Sequence, residues 1–207
     1  MGFTRNIARD RGVLGALLQR LGLPLNLASP LMAHAAAVAG ASDRLGLVAP
    51  GDRGSMLARH TADSLLFALA RVPQPGERWA DVGSGAGFPG LVLACCYPDA
   101  RFALIEPNER RAGFLELQAA GIGLANVEIL ARRLEDVEGA FDIAVARAFQ
   151  APALALLSMM PLVKMGGWAI VAAGPHVPIP DGATAVSLED LGDVDSPGVL
   201  FMMSRER

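Results

Sequence analysis

Residues Trp79 to Leu91 read Trp-Ala-Asp-Val-Gly-Ser-Gly-Ala-Gly-Phe-Pro-Gly-Leu, and this stretch limits the possible folds more than any other. An apolar run ending in an acid, a turn with glycines at 83, 85, 87 and 90, and a second apolar run form a strand, a tight loop and a helix start. Glycine lets the loop close without a Cβ in the way. Pro89 suits the first turn of a helix, where its missing N–H costs nothing. The free amides at such a helix start can face an anionic or polar ligand.

Gly85-x-Gly87-x-x-Gly90 fits the dinucleotide expression, so NAD is one reading and a purely structural turn another. The register favours a third. Asp81 and Gly83 already stand at the strand exit, and a pyrophosphate beside Asp81 would meet a like charge. The order Asp-x-Gly-x-Gly-x-Gly resembles motif I of the class I S-adenosylmethionine (SAM) methyltransferases. That resemblance implies that Asp81 reaches a cationic amino group, with Gly83 and Gly85 passing under the ligand.

The rest of the chain fits an α/β architecture. From Arg78, strands expected at about 78–83, 101–105, 127–131, 141–146 and 167–172 alternate with helices at about 89–96, 108–120 and 150–160. Such alternation predicts a doubly wound, Rossmann-like parallel sheet with right-handed crossovers. Val199 to Met203, with Ala183 to Leu188 before it, reads as a closing hairpin. Residues 1–75 lack strand signals. Helical spacing at Val13 to Leu21, Leu31 to Val38 and about 55–72 predicts an N-terminal helical cap in the same structural unit as a SAM-binding domain at 76–207.

Composition narrows the class. A chain of 207 residues, 52% of them hydrophobic, can bury one sizeable core. A formal charge of −3 argues against a strongly basic nucleic-acid coat, though not against a local patch. The two cysteines, Cys95 and Cys96, are adjacent, and with no secretory signal read before them a cytoplasmic location is expected. No apolar run reaches the roughly 18 to 20 residues that span a bilayer, so no membrane is expected. No metal site is expected, and the working unit is read as a monomer.

Glu106 closes the second strand, where an acid can accept hydrogen bonds from both hydroxyls of a ribose. SAM and NAD share that need, so Glu106 does not choose between them.

Four blocks make a resemblance specific. Asn26-Leu27, Arg59-His60-x-x-Asp63-Ser64, Asp81 through Gly90, and Phe141-Asp142 with Arg147-Ala148-Phe149 resemble the glucose-inhibited-division protein B (RsmG-type) family. These are the bacterial small-subunit 16S ribosomal RNA guanine-N7 methyltransferases. Arg110-Arg111-x-x-Phe114-Leu115 and Arg133-x-Glu135 fit weaker blocks. The resemblance implies SAM contacts at Gly83, Phe88, Leu134, Glu135 and Arg147. It also implies ribosomal RNA, or the small subunit, as partner. Arg147 has a second reading as a charge pair with Glu135 or Asp142.

No catalytic base is assigned. His60 with Asp63 one turn on suits a helix fastened by local hydrogen bonds. Cys95 and Cys96 within a helix read as inert thiols rather than a cytosine-C5 nucleophile. A missing base fits guanine N7, which has a lone pair and no proton to lose, and Arg147 is the candidate for positioning. Arg5, Arg9, Arg11, Arg20, Arg59, Arg110, Arg111, Arg132 and Arg133 are candidate phosphate contacts. The family's Lys-Gly after strand five is Ala173-Gly174 here, followed by a proline-rich segment in place of a helix, and the tail reads Arg205-Glu206-Arg207. These differences lie on the substrate side. They keep two alternatives open, methylation of another substrate and a noncatalytic SAM-binding paralogue.

Overall fold

The structure is a computed structural model that describes residues 7–50, 60–174, 176–187 and 198–206. Seven strands, β1 (Arg78–Val82), β2 (Arg101–Ile105), β3 (Val127–Leu130), β4 (Phe141–Ala146), β5 (Val163–Ala173), β6 (Thr184–Ser187) and β7 (Val199–Ser204), form one sheet in the order β3-β2-β1-β4-β5-β7-β6. The first five are parallel, whereas β7 runs antiparallel to both β5 and β6. The expected doubly wound sheet with a closing hairpin is therefore present.

Strand side chains alternate between faces, and the sequence uses both. Trp79, Phe102, Leu104, Ile143 and Val145 belong to one apolar cluster, while Ala80, Val82, Ala103, Ile105, Ala144 and Ala146 belong to the other. A strand buried on both faces is apolar at nearly every position, hence the runs Phe102–Ile105 in β2 and Ile143–Ala146 in β4, while β1 carries one buried acid, Asp81. Each large side chain buried this completely, Trp79 and Phe102 among them, contributes about 1.5–3 kcal/mol.

The first cluster also takes in the N-terminal helices α1 (Ile7–Arg20), α2 (Ala28–Leu45) and α3 (Ala62–Ala70), through Leu14, Leu18, Leu31, Val38, Leu65 and Phe67. Helices α4 (Gly90–Cys96) and α5 (Glu109–Ile122) pack on that face too, and α6 (Pro152–Met159) lies on the other. Among the described residues no helix is long and apolar enough to cross a membrane.

Two boundaries differ from the sequence expectation. Helix α2 extends well beyond Leu31 to Val38 because distant groups hold its end. Arg111 donates from Nε to Leu45 O and from Nη2 to Gly46 O, Arg110 donates to Arg44 O, and Gly46 turns the chain at φ +61°. Strand β5 begins at Val163 rather than 167, because a register shift opposite Phe141 to Ile143 carries the pairing past Gly166 and Gly167. Position 167 tolerates no side chain: a Cβ there would stand 2.5 Å from Asp142 O. The part of the third expected helix at 55–59 lies outside the described residues, as does Leu188.

Candidate functional site

The glycine-rich loop is fastened from below by strand ends. Gly83 and Ser84 N–H both donate to Ile105 O, at 2.9 and 3.1 Å, and Gly87 N–H closes on Ser84 O at 2.7 Å. Gly83, Gly85 and Gly87 adopt φ of +71°, +53° and +90°, the left-handed region that side chains resist. Two buried carboxylates finish the attachment. Asp81 Oδ2 accepts from Gly90 N–H at 2.9 Å, and Glu106 accepts from Gly85 N–H through Oε2 and from Asn108 N–H through Oε1, both at 2.9 Å.

Asp81 is 1% exposed, and among the described residues no donor reaches its Oδ1. Burial pushes its pKa up to about 6, against the opposing pull of the Gly90 N–H. A buried carboxylate oxygen without a donor is costly, and a cation brought near it would relieve that cost.

Above the loop lies a cavity of about 270 Å³ at the carboxyl end of the strands, where open α/β sheets bind ligands. Gly83 to Ala86 and Phe88 form its floor. Leu47 to Ala49, after α2, and His60, before α3, line one side, and Arg111, Arg147 and Ala148 complete the wall. A larger cleft of about 780 Å³ opens at the opposite end of the sheet beside Arg78 and Arg101, away from the loop.

Of the residues singled out from the sequence, Gly83, Gly85, Phe88 and Arg147 line the loop cavity together. Asp81 and Glu106 lie beneath it as fasteners of the loop. Leu134 and Glu135 occupy a short 3₁₀ turn after β3 and are not among the cavity's lining residues. The Phe88 ring is buried beside two histidine rings, 5.2 Å from His34 and 5.5 Å from His60 between centroids.

Arg147 does not take the partners nearest in sequence. Its Nη2 meets Nδ1 of His60 at 2.5 Å, its Nη1 stands 3.5 Å from Asp63 Oδ2, and its Cζ lies 5.5 Å from the Phe88 centroid. Asp142 instead pairs with Lys164 and accepts from Arg78 N–H. Ser64 donates to His60 O at 2.6 Å within its own helix.

Two residues with a part in this geometry were missed in the sequence. Ala148 turns the chain at φ +53°, and Phe149 stands so close over Gly83 that a Cβ there would lie 2.7 Å from its Cδ2. Only the Arg-Ala-Phe block itself signalled them.

Other candidates resolve plainly. Cys95 and Cys96 are free and buried, and burial raises both thiol pKa values, away from a thiolate nucleophile. Among the described residues no three His, Cys, Asp or Glu side chains gather as a metal cluster. Arg110 and Arg111 are engaged by the carbonyls of α2, while Arg11, Arg132 and Arg133 are exposed. Arg5, Arg59 and the side chain of Arg9 lie outside what is described. The segment from His176 to Pro180 contains no helix.

Comparison with known proteins meets this geometry from another direction. Among solved structures, a mutant of MtNAS in complex with S-adenosylmethionine superposes over 88% of this chain and 74% of its own, with a TM-score of 0.59 at 17% identity. An O-methyltransferase from Thermotoga maritima covers 70% of this chain and 66% of its own, with a TM-score of 0.52 at 20% identity. Both likenesses show the fold. Sequence relatives are more specific. The Ribosomal RNA small subunit methyltransferase G of Clavibacter sepedonicus is 39% identical over 157 residues, covering 74% of this chain and 73% of that protein. Its counterpart in Moorella thermoacetica is 34% identical over 157 residues, covering 73% of this chain and 65% of its own. The profile of one family spans residues 28–178, from the start of α2 past the end of β5, and so takes in the loop, Arg147 and its contacts His60 and Asp63: the chain belongs to the rRNA small subunit methyltransferase G (GidB) family.

Proposed function

We infer that this chain is a SAM-dependent methyltransferase whose acceptor is N7 of a guanine in 16S ribosomal RNA. The observation that carries the reading is that one cavity, in a chain of this family, joins the Gly83–Gly85 loop to Arg147 above the donor-poor carboxylate of Asp81. The residues fit the cofactor. SAM carries a sulfonium and an ammonium, and buried Asp81 and Glu106 supply negative charge beside the loop. The loop has no Cβ at 83 or 85 to obstruct a ligand.

When bound, SAM supplies an electrophilic methyl group on a cationic sulfur. The chain's own part is to bind and orient. In this reading Asp81, Gly83, Gly85, Phe88 and Glu106 hold the amino-acid and ribose parts, Leu134 and Glu135 face the adenine edge, and Arg147 orients the reacting partners. Guanine N7 presents a lone pair without a proton. Alignment, which contributes several kcal/mol in well-oriented reactions, therefore replaces acid–base work.

The reading includes the helices up to residue 75 as a cap on the SAM-binding residues 76–207. It also includes a single cytoplasmic copy acting on the small subunit or its RNA. Exposed Arg11, Arg132 and Arg133 support weak, salt-sensitive contact with phosphates.

Tritium transfer from labelled SAM tests it directly, with undermethylated small subunits, free ribosomal RNA and a metabolite pool as acceptors. Label should appear in guanine of the subunit or its RNA. Label in metabolites alone, or NADH binding without SAM binding, sinks the reading.

A further inference from the structure

We propose that His60 and Asp63 are positioning residues that hold the Arg147 guanidinium over Phe88 at the wall of the loop cavity, so that the segment opening α3 sets the working geometry of an arginine carried by β4. The proposal rests on the function inferred above and adds to it an unassigned pair of residues that act through a third.

Arg147 leaves the end of β4 just before a sharp turn, since Ala148 adopts φ +53°. The strand fixes the Cα but not the end of so long a side chain. Three contacts do. Nη2 meets His60 Nδ1 at 2.5 Å, Nη1 stands 3.5 Å from Asp63 Oδ2, and Cζ lies 5.5 Å from the Phe88 centroid. His60 and Asp63 are three residues apart at the start of a helix and so share a face. Two acceptors on one face address two nitrogens of one planar group, and the Phe88 ring adds a cation–π contact. His60 is itself held, stacked on Phe88 at 5.5 Å and 26°.

The chemistry of the contact fixes the histidine. A guanidinium only donates and does not lose its proton in proteins. Nδ1 of His60 must therefore be the acceptor, which makes the ring neutral and places its proton on Nε2. An Nδ1 occupied in this way cannot also serve as a general base, so His60 acts through Arg147. The reach of Arg147 is seen at Asp81, where its positive charge is among the influences favouring the ionised carboxylate.

The experiment separates acceptor, ring and independent catalysis. His60→Asn keeps an acceptor near the position of Nδ1, whereas His60→Phe keeps the stacked ring without one. Both are compared with Asp63→Asn, Arg147→Ala and the double variant His60→Phe/Arg147→Ala. Calorimetry reads S-adenosylhomocysteine binding, and tritium transfer at saturating SAM reads turnover on undermethylated small subunits. His60→Phe should lose about tenfold in affinity or turnover, the scale of one charge-assisted hydrogen bond. His60→Asn should stay within about threefold of the wild type, a smaller loss because an acceptor remains. The double variant should be no worse than Arg147→Ala alone.

A wild-type-like His60→Phe, or losses that multiply in the double variant, overturns the proposal. Nitrogen-15 spectra of the wild-type histidines need no variant to fold. They should give His60 with Nδ1 unprotonated and accepting, and a protonated Nδ1 overturns the proposal as well. Failure of the wild type to bind S-adenosylhomocysteine is a separate outcome, one that removes the inferred function before any variant is compared.

Discussion

Gly90 gives way to Asp81. Its N–H donates to Asp81 Oδ2 at 2.9 Å, and a Cβ at position 90 would stand 2.6 Å from that same oxygen. The last glycine of the loop thus serves neither a left-handed turn nor direct ligand approach, but room for a buried carboxylate. Gly90→Ala should displace Asp81 and cost about 1–3 kcal/mol, the range for overfilling a packed site. Urea unfolding measures the loss, and SAM affinity should fall with it. A Gly90→Ala variant as stable as the wild type would show that the carboxylate shifts freely.

Gly83 faces Phe149 in a comparable way. Its φ of +71° alone makes an alanine there unfavourable by about 1–2 kcal/mol. The 2.7 Å approach of its hypothetical Cβ to Phe149 adds a clash. Two causes can be separated by a cycle. Phe149→Ala should recover the clash part of the Gly83→Ala defect and leave the backbone part, a coupling on the order of 0.5–3 kcal/mol between touching residues. Strictly additive unfolding energies would place Phe149 elsewhere in solution.

Which parts of this were legible in the sequence follows from how local their causes are. The loop's glycines and the apolar runs of β1, β2 and β4 are set by neighbours in the chain, and the strands they predicted are present, whereas the ties of the loop to Ile105 and Glu106 come from the next strand and were not read. For Arg147 the sequence offered, beside a SAM contact, only a charge pair with Glu135 or Asp142. Its actual contact with His60 spans 87 residues and exists only once α3 packs beside the sheet. The end of α2 escaped for the same reason, since Arg110 and Arg111 reach it from α5. The early start of β5 was hidden by Gly166 and Gly167, which signal a break although the strand passes through them as an irregularity.

At the far end of the sheet, Asn126 gives a control without ligand involvement. Its Nδ2 donates to Ala94 O at 3.1 Å, Tyr97 O at 3.2 Å and Ala100 O at 3.0 Å, tying the end of α4 to the entry of β2. Asn126→Ala leaves part-buried carbonyls without this donor and should cost about 1–3 kcal/mol. Thermal unfolding should show a lowered midpoint, while SAM affinity at a temperature where the variant is folded stays at the wild-type value. A parallel loss of SAM affinity would mean that the two ends of the sheet are coupled.

A marked dependence on pH should come from Asp81. Its pKa rises from 3.8 to about 6 on folding, because burial disfavours the charged form. The folded chain then binds this proton more tightly than the unfolded one. Asp81's contribution to stability is therefore fullest below pH 3.8, declines as pH rises towards 6 and stays low above it. The shift corresponds to roughly 3 kcal/mol. Asp81→Asn removes the titration while its side-chain oxygen can still accept from Gly90 N–H. The new amide brings a donor to a site that held an acceptor, which adds an offset of its own, but that offset does not vary with pH. The observable is thus a change in the difference between the two proteins: from about pH 4 to about pH 8 the variant should gain roughly 2.5 kcal/mol on the wild type in urea unfolding. Affinity should move the other way. A ligand cation favours the ionised carboxylate, so wild-type binding of SAM should weaken as pH falls below about 6, and Asp81→Asn should bind weakly at every pH. Stability curves that run parallel for the two proteins would mean that Asp81 titrates normally and that its carboxylate is not held in the dry position beneath the loop.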